Sequence, residues 1–78
     1  MLNVHTDPRA DAIYIQLFDE PIGYTEELGD NRLIDRTLDG KPVGIDLTSV
    51  SHGVKLSGLP EVDGIENLLK GLGIKIIK

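Results

Sequence analysis

RLIDRTLDGKPVGIDLTSV, residues 32–50, constrains the fold more than any other stretch of the chain. Two runs of apolar and polar residues meet at Asp39-Gly40. Asp-Gly between such runs is a strong hairpin signal, because glycine supplies the positive φ that tight turns need. Two registers satisfy it. A two-residue loop pairs Leu38 with Lys41. A three-residue loop, Leu38-Asp39-Gly40 with Gly40 left-handed as a bulge, pairs Thr37 with Lys41. The second puts Leu33, Val43, Ile45 and Leu47 on one face, sets Arg32 opposite Asp46 on the other, and places Ile34 opposite Gly44. It separates apolar from charged side chains better and is the expected register. Pro42 has no N–H for a ladder bond, so it belongs at an edge or at the bulge.

The same period of two recurs upstream. In AIYIQLF (residues 12–18), Ile13, Ile15 and Leu17 face one way, and Tyr14 and Gln16 the other. LNVHT (2–6) alternates weakly and reads as a short strand. DPRAD (7–11) between them is a turn by composition: Pro8 presets φ, and Asp7 can accept backbone N–H bonds. DEPIG breaks the chain, YTEEL (24–28) reads as a further short strand, and GDN follows as a loop. SVSHGVKLSGL (49–59) is a connector with room for one short turn or strand.

One segment has helical spacing. In PEVDGIENLLKGLG (60–73), Val62, Ile65, Leu69 and Leu72 recur at intervals of three and four and make an apolar stripe. Pro60 suits a first turn, Glu61 and Asp63 sit at the positive end of the dipole, and Lys70 at the negative end. Gly64 weakens the helix by about 1 kcal/mol relative to alanine. Gly73 fits the C′ position, turning Ile74 back onto Leu69 as in a Schellman end. IKIIK (74–78) reads as a terminal strand whose lysines blunt an edge. The expected fold is α+β. A small curled antiparallel sheet of four to five strands carries one C-terminal helix on one face and a short terminal strand. Residues 1–78 form a single domain: strands and hairpin to 50, connector 51–59, helix 60–73, last strand 74–78.

The chain has 78 residues and no cysteine. A domain near this size buries only about 60–65% of its unfolded surface, so its core is thin and a partner or an oligomer is a common source of extra stability. Disulfides and thiolate metal sites are excluded. No basic segment followed by an apolar run marks a signal peptide, and no apolar stretch approaches the ~20 residues of a membrane span. A cytoplasmic protein with no membrane partner is expected. Residues 1–50 hold four basic side chains against ten acidic ones, whereas residues 51–78 hold four lysines against three acids. An acidic body repels phosphate, so nucleic acid is not an expected partner. Lys55, Lys70, Lys75 and Lys78 are scattered, without an aromatic platform.

DPRADAIYIQL, RLIDRTLDGKPVGIDL and HGVKLSGLP…LLKGLGIKI together resemble a small prokaryotic family, the domain of unknown function 2283. The family pattern is a Tyr-Asp-x-x-x-Asp-Ala turn into a strand, then an Asp-Gly hairpin ending Val-Gly-Ile-Glu. The resemblance runs through roughly the first fifty residues, and the helix and last strand look like a tail seen in some members. Thr6 stands where the family has an aromatic residue, and Asp46 where it usually has Glu. The resemblance implies this fold; the family has no established catalytic residues, so the resemblance leaves function open. Members are often small stand-alone proteins, some of them similar to the antitoxin half of toxin–antitoxin pairs.

The chemistry-bearing residues fall into few groups. Asp7 and Asp11, with His5, are the candidate metal ligands. Their spacing lacks the tight alternation and closing Glu of a calcium loop, and the structural role expected for both acids is to shape the turn. Asp35 and Asp46 fall on opposite faces in the expected register and on one face in the other, where acid–base work becomes conceivable. His5 and His52 lack zinc spacing. Ser49, Ser51 and His52 are adjacent in sequence, which is not a nucleophile–base geometry, and no Gly-x-Ser-x-Gly elbow is present. No cofactor and no enzymatic activity are expected. The leading expectation is an interaction module that self-associates or binds a protein partner, antitoxin-like. It would use Tyr14, Arg32, Arg36 and Asp46 on the face away from the helix. The alternative is a small metal-binding protein or enzyme using Asp7, Asp11 and His5.

Overall fold

Alternation decides which side of each strand is dry. In the computed structural model, which describes residues 2–29 and 31–77, Ile13, Ile15 and Leu17 are buried and Tyr14 and Gln16 are only partly covered. Five strands form one open antiparallel sheet: β1 (Asn3–Asp7), β2 (Ala12–Gln16), β3 (Tyr24–Gly29), β4 (Arg32–Arg36) and β5 (Pro42–Thr48). Their spatial order is β1-β2-β5-β4-β3. A single 3-10 turn at Val50–His52 leads to β6 (Val54–Lys55), then to helix α1 (Val62–Gly71) and β7 (Ile76–Ile77). The fold is α+β, as the sequence implies. Asp30 of the GDN loop and Lys78 of the terminal strand lie outside the described residues.

The core is one layer between sheet and helix. Ile13, Ile15, Leu17, Ile45 and Leu47 from β2 and β5 and the residues just beyond β2 pack with Val54, Leu59, Ile65 and Leu69. Ile65 and Leu69 are fully buried, but Val62 and Leu72, at the ends of the expected stripe, are 38% and 46% exposed. The helix is also shorter than its spacing suggests. Glu61 takes a left-handed φ of 53°, which cannot continue a helix, so α1 begins at Val62 and Pro60 lies outside it. The other end is as expected. Gly73 has φ 76°, the Ile74 N–H donates to Leu69 O at 2.9 Å, and the Gly73 N–H to Lys70 O at 3.0 Å, the paired bonds of a Schellman end. The last strand does not join the main sheet. β7 pairs parallel with β6 in the connector. No helix among the described residues is long and apolar enough to cross a membrane.

The β4–β5 hairpin corrects the expected register. At the tip, the three-residue loop is present: the Thr37 N–H donates to Lys41 O (2.9 Å), the Gly40 N–H donates to Thr37 O (3.0 Å), and Gly40 has φ 96°. Below the tip the ladder shifts. Arg36 faces Pro42 but Asp35 faces Gly44, so Val43 is an extra residue in β5. Its carbonyl accepts from the N–H groups of both Leu17 (2.8 Å) and Phe18 (3.3 Å). Beyond this bulge Ile34 faces Ile45, Leu33 faces Asp46, and Arg32 faces Leu47. That is the register a two-residue loop would have set. Ile34 is therefore fully buried in the place expected for Leu33, and Arg32 is not opposite Asp46.

Candidate functional site

The bulge decides which charges share a face. Cross-strand partners point the same way, so Tyr14, Asp46, Leu33 and Glu27 form one row on the face away from α1. Gln16, Gly44, Asp35 and Thr25 form the next. His5 joins the first row opposite Tyr14, and Asp7 lies opposite Ala12 near the turn. Tyr14 and Asp46 are thus where the sequence places them. Arg32 and Arg36 are not: they lie with Ile34 on the helix side of β4. They are the only lysine or arginine residues of β1 to β5, so these strands place Asp7, Glu27, Asp35 and Asp46 on the open face beside His5 and put neither lysine nor arginine there.

Both arginines are occupied. Arg32 is 7% exposed, and its guanidinium donates to Leu28 O (3.5 Å), Gly29 O (3.3 Å), Lys55 O (3.2 Å) and Ser57 O (2.5 Å). It fastens the end of β3 to β6 and the segment just after it. Arg36 pairs with Glu26 at 2.8 Å and donates to Gly40 O at 2.9 Å.

A hydroxyl–carboxylate cluster occupies the middle of the open face. The Tyr14 hydroxyl donates to Asp35 Oδ2 at 2.8 Å, and Thr25 Oγ1 donates to Asp35 Oδ1 at 2.6 Å. Tyr14 reaches Asp35 by lying across Gly44, where a Cβ would fall 1.9 Å from the tyrosine oxygen. Burial, the hydrogen bond to Asp35 and the charges of Asp35 and Asp46 push Tyr14 up to about 12. It is a fixed donor at any physiological pH. Asp35 and Asp46 share a face, contrary to the expected register. Each Asp35 oxygen already accepts a hydroxyl hydrogen bond.

The two acids of the DPRAD turn each have a structural task. Asp7 Oδ1 accepts the Ala10 N–H at 3.2 Å. Asp11 is left-handed, with φ 53°, and its carboxylate accepts the Ser51 N–H (3.1 Å) and the Ser51 hydroxyl (2.7 Å). It ties the β1–β2 turn to the 3-10 turn, a link between residues forty apart that spacing could not reveal. Ser51 therefore serves Asp11 and not His52. Among the described residues, no three His, Asp or Glu side chains gather as a metal would need.

The sequence profile of a family described as "Protein of unknown function (DUF2283)" matches residues 4–51, more than half of the chain. The chain belongs to the DUF2283 family. The DUF2283 match spans β1 to β5 and reaches the 3-10 turn, so it includes the whole open face and leaves β6, α1 and β7 outside. No curated protein and no solved structure matched the chain. Thr6 lies in β1, and Asp46 in the row with Tyr14.

Proposed function

We propose that this protein is a non-enzymatic interaction module that binds a basic protein partner through the open face of its sheet, as an antitoxin binds a toxin. The observation that carries this reading is the sign of that face. Four carboxylates share it, and both arginines of the sheet are on the other side. A surface of one sign speeds encounter with the opposite sign and rejects like-charged partners, nucleic acid included. Tyr14 adds an aromatic surface whose orientation is fixed by Asp35, and a rigid aromatic is the kind of group that anchors interfaces.

Co-expression with the protein encoded beside it, followed by calorimetric titration of the purified pair, tests the reading. The expected complex weakens steeply between about 50 and about 500 mM salt. Glu27→Lys with Asp46→Lys should weaken it by on the order of tenfold or more. Asp63→Lys, the same charge reversal on α1, should leave it unchanged. Binding indifferent to salt and to the open-face reversal would overturn the proposal.

A further inference from the structure

The sheet ends in two edges of opposite character. At one, β3 has a register shift between Glu27 and Gly29 and sets Glu26 beside Glu27. A bulge interrupts pairing, and two copies of this edge would press carboxylates together, so β3 is protected. β1 has neither device. Its five residues pair with β2 without a shift, and it contains no proline, lysine or arginine. It is the last strand on its side of the sheet, so its outer N–H and C=O groups can template another strand.

We infer that β1 is a self-association seam, where a second copy adds its own β1 antiparallel about a two-fold axis at His5. This register uses every residue of the strand. Asn3 faces Asp7 of the second copy, Val4 faces its Thr6, and His5 faces its own counterpart. Apolar and polar side chains stay on their own faces. An amide meets each carboxylate, and no two acids are opposed. The same operation on β3 centred at Glu26 opposes that residue to itself.

The helix layer is consistent with the same axis. A Cβ at Gly64 would lie 3.6 Å from Leu2 Cδ1, and Thr6 and Asp7 share a groove with Leu72 and Ile74. Helix α1 therefore runs alongside β1, with half-exposed Val62 and Leu72 at its two ends. The two-fold turns Val62 of one copy towards Leu72 of the other. The product is a continuous ten-stranded sheet with both acidic faces on one side. The seam runs along the β1 edge and shares Asp7 and His5 with the open face. The partner test reads Glu27 on β3 and Asp46 on β5, and the seam test reads the β1 edge, so either can fail without the other.

The absence of cysteine makes single-cysteine reporters clean. Directly opposed residues of antiparallel strands have Cα atoms about 4.5–5.5 Å apart, within disulfide reach. His5→Cys should give a disulfide-linked dimer under mild oxidation. Glu26→Cys on the other edge, and Leu38→Cys at the 87%-exposed hairpin tip, should give only slow collisional linkage. In sedimentation equilibrium the unmodified chain should show a monomer–dimer equilibrium at micromolar concentrations. His5→Lys, which opposes two cations on the solvent face, should raise the dissociation constant about fivefold or more with an unchanged circular dichroism spectrum. A chain that stays monomeric at millimolar concentration overturns the inference. So does a dimer that tolerates His5→Lys, or faster linkage at position 26 or 38 than at position 5.

Discussion

A single missing side chain organises the open face. Because Gly44 has no Cβ, the Tyr14 ring can cross β5 and deliver its hydroxyl to Asp35. Asp35 is then held from both sides, by Tyr14 and Thr25. The consequence is measurable. Tyr14 titrates near 12 in the fold against an ordinary 10.0. The folded chain holds this proton more tightly than the unfolded chain. The stabilisation is therefore complete below pH 10 and is lost as pH rises through 12. The chain has two tyrosines, so ultraviolet titration of the Tyr24→Phe variant reports Tyr14 alone. Asp35→Asn removes the nearest negative charge and the hydrogen-bonded carboxylate, and should bring the midpoint down towards the ordinary value. A midpoint already ordinary in the Tyr24→Phe chain would contradict the cluster.

At the level of elements, the helix and the hairpin differ in how openly their sequences declare them. The α1 C-terminus was legible because glycine at C′ has a local cause, a left-handed backbone. Its N-terminus was not, because Glu61 adopts that same conformation without the residue type that announces it. For the hairpin, Asp39-Gly40 declared the loop correctly. RLIDR could not declare the face, since Leu33 and Ile34 are adjacent and either can fill a core position. The choice is made by long-range pairing, with Ile34 continuing the row of Ile15 and Ile45. The pairing of β6 with β7 involves two residues on each side, across the intervening helix, and has no local signature. One element invites improvement. Gly64 lies inside α1, and a methyl there meets Leu2 at an ordinary 3.6 Å. Gly64→Ala should stabilise the fold by up to about 1 kcal/mol, seen as a melting point raised by about 4–8 °C per kcal/mol for a domain of this size.

Across the whole molecule, Arg32 joins parts that the sequence keeps apart. One guanidinium satisfies carbonyls at the end of β3 and carbonyls at and just after β6, and it is buried while doing so. A lysine is a point charge with three donors and cannot span that fork. Arg32→Lys should cost about 2 kcal/mol in urea denaturation, and a cost near zero would show that the clasp is dispensable. Sequence reasoning treated Arg32 as a surface contact because the expected register set it opposite Asp46, away from the apolar face. Only the bulge at Val43 reveals that it turns inward. The open face was thus half legible: Tyr14 and Asp46 from alternation, but not the turning of both strand arginines to the other side. The spare residue in β5 also works as slack. Because the ladder changes phase at Val43, the tip between Thr37 and Lys41 is uncoupled from the rows below it. A relative whose tip is one residue shorter can iron out the bulge and still keep Tyr14, Asp35 and Asp46 in alignment. Loop length in such proteins is then free to drift while the pattern of the face stays put.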